Sequence, residues 1–230
     1  ARLSQGNRAV ATSARCNGFQ VMSPDDYRFM ARALKLARRG LYSTDPNPRV
    51  GCVLVREGEI VGEGWHQCAG EPHAEVNALN AAGALACGST VYVTLEPCCH
   101  HGRTPPCTDA LLKASVSRLV TAMPDPNPQV AGRGLAILRE ASVSVSCGLL
   151  EAEAEALNPG FTQRMTMNRP FVRVKLAMSL DGRTALSSCK SQWLTGKAAR
   201  QDVQRLRARS SAILTGISTV LTDDPSLNVR

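Results

Sequence analysis

The sequence predicts an α/β sandwich around a mostly central sheet, followed by a second, smaller α/β unit. Three observations predict it. Between residues 50 and 157, short apolar and β-branched runs alternate with helical patterns in the rhythm of a layered domain. The 230 residues are 43% hydrophobic and 20% charged, enough for one full core, which excludes disordered and low-complexity classes. Around Asn168-Arg169-Pro170 the acidic character ends and a strand–helix–strand pattern begins again.

The elements follow in order. Residues 1–21 lack hydrophobic periodicity and hold Arg2, Arg8 and Arg15 among small polar residues. They read either as an Arg/Ser-rich targeting segment or as an unstructured leader, and residues 1–22 are placed outside the fold. Met22-Ser23-Pro24-Asp25-Asp26 is a helix start: Ser23 can cap, Pro24 suits the first helical position, and two acids meet the positive end of the dipole. Apolar residues at Tyr27, Met30, Leu34 and Ala37 carry that helix to about Arg39, before Gly40.

After the turn Asp45-Pro46-Asn47-Pro48, residues 50–55 read as a buried strand, Glu57-Gly58 as a turn and 60–65 as the hairpin partner. Helices are expected at 74–82, 108–114, 135–140 and 150–157, with strands at 90–95, 119–122 and 143–147. In the second unit, strands are expected at 171–177 and 212–215 around a basic helix at 196–209. Some 60 residues are few for a typical α/β domain, so this unit reads as the first part of a larger one. The expected organisation is a leader at 1–22, a first domain at 23–166 and an incomplete second domain at 169–230.

The net charge of +8 is unevenly placed. Residues 1–21 contribute +3, residues 22–160 carry 12 basic and 15 acidic side chains, and residues 161–230 carry 12 basic and 4 acidic. The middle of the chain is thus mildly acidic. Nine cysteines with no secretory signal argue against a disulfide framework and for reduced thiols in the cytoplasm, some of them metal ligands. No apolar run reaches the ~18 residues of a membrane span, so no membrane partner is expected.

Pro72-His73-Ala74-Glu75 opens one helix, and Glu96-Pro97-Cys98-Cys99-His100-His101-Gly102-Arg103-Thr104-Pro105-Pro106-Cys107 follows the next strand. A catalytic zinc takes three protein ligands from His and Cys and keeps a fourth position open. His-x-Glu followed by Pro-Cys-x-x-Cys is the signature of zinc deaminases. Here eight residues, not two, separate Cys98 from Cys107, and by spacing alone Cys99, His100 and His101 compete as ligands. Cys98 holds the position after Pro at a strand end, and Cys107 opens a helix whose N-terminus favours a thiolate. A structural zinc site is the competing reading, but it leaves Glu75 without a task.

These segments, with Asp45 through Cys52, Gly70 through Glu75 and Ser179-Leu180-Asp181-Gly182-Arg183-Thr184-Ala185, resemble the bifunctional riboflavin-biosynthesis family, a pyrimidine deaminase fused to a reductase. The resemblance implies a cytidine-deaminase-like α/β/α sandwich with a mixed sheet, then the first part of a dihydrofolate-reductase-like domain. It implies that His73, Cys98 and Cys107 bind Zn2+ and that Glu75 moves protons. The implied reaction is hydrolytic deamination of diaminohydroxyphosphoribosylaminopyrimidine, with Asn47 and His66 near the ring and Arg103 near the phosphate. Arginine suits phosphate on independent grounds, by bidentate hydrogen bonding. Cys99 departs from the family, which often has Ser there.

In the second unit the resemblance points Ala177, Trp193, Thr219 and Asp223 toward NADPH, and Ser191, Arg207, Leu227 and Arg230 toward the phosphorylated substrate. The family's remaining cofactor-binding elements lie outside these residues, so the chain is expected to deaminate but not to reduce. The two Asp-Pro-Asn-Pro runs, at 45–48 and 125–128, are explained by turn chemistry, with Asp125 a candidate to approach the site. The competing functions are a nucleoside or tRNA deaminase of the same zinc superfamily and a zinc-stabilised RNA-binding module. Against the first stand the long cysteine loop, the acidic central domain and the fused second unit; against the second stands an aromatic content of 4%, too low for base-stacking platforms. No nucleic-acid partner is expected; a homo-oligomer is compatible with the sequence.

Overall fold

A computed structural model describes residues 21–188 and 193–229. The leader expected at 1–22 falls almost wholly outside the described residues, as do Ser191 and Arg230. No described helix is long and apolar enough to cross a membrane.

Helix α1, Pro24–Ala37, begins as expected: the Ser23 hydroxyl accepts the Asp26 N–H and the Asp26 carboxylate accepts the Ser23 N–H, a reciprocal capping box. Strands β1 (Gly51–Arg56) and β2 (Glu59–Trp65) form the hairpin, with a register shift between Leu54 and Val55. Helix α2 (Ala74–Ala82), strand β3 (Thr90–Val93), helix α3 (Cys107–Lys113), strand β4 (Arg118–Thr121), helix α4 (Arg133–Glu140) and strand β5 (Ser144–Cys147) complete the layered pattern. The sheet order is β2-β1-β3-β4-β5. β1 is antiparallel to both neighbours, and β3, β4 and β5 are mutually parallel, so the sheet is mixed.

Helices cover both faces. A Cβ on Gly51 would lie 2.0 Å from the Ala33 carbonyl of α1, and one on Gly64 would lie 2.3 Å from the Ala74 carbonyl of α2. Because Gly51 and the Cys52↔Gly64 pair point to opposite sides of the pleat, α1 and α2 sit on opposite faces. Only glycine admits so close an approach, and at Gly64 it brings the first turn of α2 down onto the hairpin. The core between the layers is formed by fully buried Met30, Leu36, Val53, Leu54, Leu111 and Leu119, among others.

Helices α5 (Glu151–Leu157) and α6 (Pro159–Met167) follow. The expected helix at 150–157 is followed by a second one, not expected from the sequence, which Pro159 opens. Buried Asn158 explains the junction. Its side-chain oxygen accepts the Arg49 N–H at 2.8 Å and its amide donates to the Arg49 carbonyl at 2.9 Å, pinning the helix pair to the entry of β1.

The second unit departs from expectation. Helix α7 (Lys197–Ala208) forms, and a further helix, α8 (Ile217–Asp223), appears. The segments 171–177 and 212–215, expected as strands, are not strands in the structure. Their β-branched composition favours an extended chain, but a strand needs a neighbour to bond, and neither segment has a ladder partner among the described residues. No described residue after Asn158 is buried, and Val172, Val174, Leu176 and Leu214 are exposed.

One buried ion pair ties α1 to the sheet. Asp26 accepts from Tyr92 Oη at 2.7 Å and from Arg118 Nη1 at 2.8 Å. Burial pushes its carboxyl up, but these bonds and the Ser23 N–H prevail and hold it at about 2. A folded value below the unfolded one gives stability that is complete above about pH 4 and lost as pH falls toward 2. Asp26→Asn is therefore expected to lower urea-unfolding stability by about 2 kcal/mol near pH 6. Its deficit against the unaltered chain should shrink between pH 4 and pH 2; a deficit constant across that window would contradict the assignment.

Candidate active site

The site forms at the carboxyl end of β3, where a parallel strand meets the antiparallel β1, the usual place for a crevice in an open α/β sheet. His73 is the N-cap residue of α2, Cys107 is the first residue of α3, and Cys98 lies in the segment after β3. Two helix N-termini thus point at one spot, and their unpaired N–H groups favour negative charge there. The Cys107 N–H donates to the Cys98 sulfur at 3.4 Å.

The His73 Nδ1 lies 3.5 Å from Cys98 Sγ and 3.3 Å from Cys107 Sγ, and the three donor atoms all lie within 4.8 Å of one another. Bond lengths of about 2.05 Å to nitrogen and 2.3 Å to sulfur make the edge of a tetrahedral zinc site about 3.6 Å long. The donor set therefore fits zinc in both chemistry and spacing. The protonation of the cluster agrees. Hydrogen bonding from Cys107, with His73 assisting against burial, draws Cys98 down to about 4. Cys107 is driven up by Cys98 and by burial, and His73 is raised by Cys98.

Glu75, in the first turn of α2 and 3% exposed, sits beside Cys107 without belonging to the donor triad. Burial, reinforced by the Cys98 charge, pushes its carboxyl up to about 7. It lines, with His73, Cys98, Asn47, His66 and Arg103, a cavity of about 440 Å³, the size of a small-molecule site.

His66 is buried on the wall of this cavity. Its Nδ1 donates to the Pro72 carbonyl at 3.2 Å, which fixes Nε2 as the acceptor for the Asn47 amide at 3.0 Å. Burial lowers the His66 pKa, consistent with a neutral ring. The Asn47 amide is thereby oriented, leaving its carbonyl oxygen for the cavity. Arg103 is exposed at the rim, within reach of Gly70.

Asp125 and Asn127 also line the cavity, so both Asp-Pro-Asn-Pro runs end on the same wall. The repeated turn is the sequence signal for this, though turn chemistry alone does not show that both runs line one cavity. Burial pushes Asp125 up to about 6, although the Asn127 N–H donates to it at 2.8 Å. Phe161 of α6 is a further lining residue with no sequence signal, since the helix carrying it was not expected. Cys99, His100 and His101, the competing ligands by spacing, lie outside the donor cluster.

The positions pointed toward the second unit's ligands are not gathered in this way. Ala177 is half-buried and Trp193 exposed on separate segments, while Thr219 and Asp223 are both exposed on α8, four residues apart. Arg207 donates to the carbonyls of Ser226 and Asn228, which places it across from Leu227. Trp193 is covered on one face by the Arg200 guanidinium at 4.6 Å.

With the geometry described, comparison with known proteins is decisive. The family model of the cytidine and deoxycytidylate deaminase zinc-binding region matches residues 23–123, and that of the RibD C-terminal domain matches residues 170–230. Over 206 residues the chain is 64% identical to riboflavin biosynthesis protein RibD of Escherichia coli, covering 90% of this chain and 56% of that one. The chain belongs to the RibD family. The Haemophilus influenzae RibD is 59% identical over 208 residues, again 90% of this chain and 56% of the relative. The structure of Acinetobacter baumannii RibD superposes with a TM-score of 0.87 at 57% identity, over 90% of this chain and 58% of that one. A Thermotoga maritima diaminohydroxyphosphoribosylaminopyrimidine deaminase/5-amino-6-(5-phosphoribosylamino)uracil reductase gives 0.82 at 42% identity, over 87% and 58%. The chain thus spans somewhat over half the length of these RibD relatives.

The ligand assignment is checked by elemental analysis of the purified chain. His73→Ala, Cys98→Ser and Cys107→Ser are each expected to reduce zinc from about one per chain to a small fraction. Cys99→Ser should retain it; the reverse pattern would move the ligand to Cys99.

Proposed function

We propose that this RibD-family chain carries out the zinc-dependent deamination of riboflavin biosynthesis, with diaminohydroxyphosphoribosylaminopyrimidine as its substrate. The observation that carries the reading is a buried, non-ligating carboxylate, Glu75, beside a zinc-matched His-Cys-Cys triad at the floor of a small-molecule cavity. Similarity to the Thermotoga maritima diaminohydroxyphosphoribosylaminopyrimidine deaminase/reductase supports the substrate class. The acidic first unit and the scarcity of aromatic residues disfavour a nucleic-acid substrate.

His73, Cys98 and Cys107 would hold zinc, whose Lewis-acid chemistry would make a water nucleophilic near neutral pH. Glu75 takes the proton that this water gives up as its oxygen bonds to the amine-bearing ring carbon. The same carboxyl then protonates the amine, the carbon–nitrogen bond breaks, and ammonia leaves. Glu75 is suited to both steps because its place on the first turn of α2 is fixed by the packing of that helix on Gly64. The Asn47 carbonyl oxygen, aligned by His66, orients the ring through a ring N–H or amine. Arg103 at the rim takes the sugar phosphate, its fork matching two phosphate oxygens.

For the second unit we propose the role its family match implies: part of a domain that reduces the ribosyl group with NADPH in the whole protein. None of the described residues pointed toward that cofactor is buried, and no step is assigned to them.

The test measures ammonia release from the phosphoribosylaminopyrimidine by the purified, zinc-loaded chain. Glu75→Gln is expected to keep its zinc and lose activity by about 10³-fold. Zinc retained with no ammonia from the unaltered chain would refute the enzymatic reading.

A further inference from the structure

Glu96 is the residue whose bonding the chemistry above does not use. It stands two positions before Cys98 and is 3% exposed. One carboxylate oxygen accepts the N–H of Asp125 at 3.0 Å and of Gly132 at 2.8 Å. The other accepts the N–H of Gly134 at 2.9 Å and of Leu135 at 3.3 Å. Its own N–H donates to the Met123 carbonyl at 3.0 Å. Four backbone donors converge on one buried carboxylate, with no cationic side chain bonded to it in the structure.

Three of those donors belong to the start of α4. The N-cap residue of that helix is Gly132, in the left-handed conformation and without a side chain to cap. The Gly132, Gly134 and Leu135 N–H groups are satisfied by Glu96 instead, from the segment after β3. The contact is close. A Cβ on Gly134 would lie 2.2 Å from the Pro97 carbonyl, so only glycine lets the helix reach the segment that leads to Cys98.

Between the Met123 and Gly132 contacts runs the loop that carries Asp125 and Asn127 into the cavity. Its remaining polar contacts are short-range: the Asn127 N–H to Asp125, the Gln129 N–H to Asn127, and the Val130 and Ala131 N–H groups to the Asn127 carbonyl. Those bonds shape the loop but do not attach it to the site. Beside the buried Val130 side chain, the loop's polar attachment to the site runs through Glu96.

We propose that Glu96 is a positioning residue that clamps the 124–135 segment to the strand end bearing Cys98, and so sets how tightly the cavity holds its substrate. It takes no part in proton transfer and binds no metal. The proposal rests on the deaminase reading, because it concerns the affinity of that cavity.

Glu96→Gln preserves size but replaces one acceptor oxygen with an NH₂ that faces backbone donors. Gly134→Ala loosens the same contact from the helix side: its Cβ would meet the Pro97 carbonyl at 2.2 Å and press on the Glu96 carboxylate at 3.2 Å, while the carboxylate itself is kept. Both full chains are followed by hydrogen–deuterium exchange, zinc content and steady-state ammonia release. The expected result in each is exchange about tenfold faster in residues 124–135, with the rest of the sheet unchanged. Zinc should stay at the level of the unaltered chain, while KM rises about tenfold and kcat stays within about threefold.

Unchanged exchange and unchanged KM in both variants overturn the clamp, as does a loss confined to kcat or to zinc. Faster exchange spread over the whole sheet would make Glu96 a general stability element and also overturn it. Absence of ammonia from the unaltered chain is the separate outcome that sinks the deaminase reading, and with it the role of the clamp in binding.

Discussion

Everything in the first unit is arranged around the meeting of three donor atoms from separate parts of the chain. His73, Cys98 and Cys107 come from the start of one helix, the segment after a strand and the start of another helix. Bringing two helix N-termini to one point concentrates positive potential, and placing two thiols and an imidazole there gives that potential its counter-charge. Hydrogen bonds within the cluster draw Cys98 down and raise His73. A divalent cation can satisfy all three donors at once. The surrounding fold keeps their spacing near that of a tetrahedron's edge, and the glycine-tight packing of α2 on β2 sets the position of both His73 and Glu75.

Much of this was legible in the sequence, for identifiable reasons. Residues 50–55 and 60–65 flank a Glu-Gly turn, and residues 90–95 are β-branched, so the strands read correctly. The Ser23-Pro24-Asp25-Asp26 start is local chemistry, and the capping box it predicts is present. The donor triad was readable because each member carries its own marker: a Pro before Cys98, a helix start at Cys107, and the His-x-Glu pair at His73 and Glu75. What was missed depends on contacts across the chain. Glu96 looks like one more acid before a proline until its four backbone partners are seen. Asn127 and Phe161 carry no local mark of their role. The strands expected at 171–177 and 212–215 show the converse limit, since residue preference supplies an extended chain but not the neighbour that makes it a strand.

The charge distribution takes on a clearer meaning in this setting. The unit that holds the site carries net negative charge in sequence, and buried or half-buried acids, Glu75, Glu96 and Asp125, cluster around its cavity. Among the residues named on that cavity, the positive charge is Arg103 at the rim, where a phosphate can be held while staying partly in water. The basic excess lies after residue 160, on a unit with no buried described residue. Such a division fits small anionic ligands better than a long polyanion, which calls for a continuous basic surface.

The central claim is that one histidine and two cysteines, and no third thiol, build the metal centre. X-ray absorption at the zinc edge of the purified chain reads the donor set directly. Two sulfur neighbours at about 2.3 Å are expected, together with nitrogen or oxygen neighbours at about 2.0–2.1 Å. Three or more sulfurs, drawing in Cys99, would contradict it, as would a shell made of nitrogen and oxygen alone.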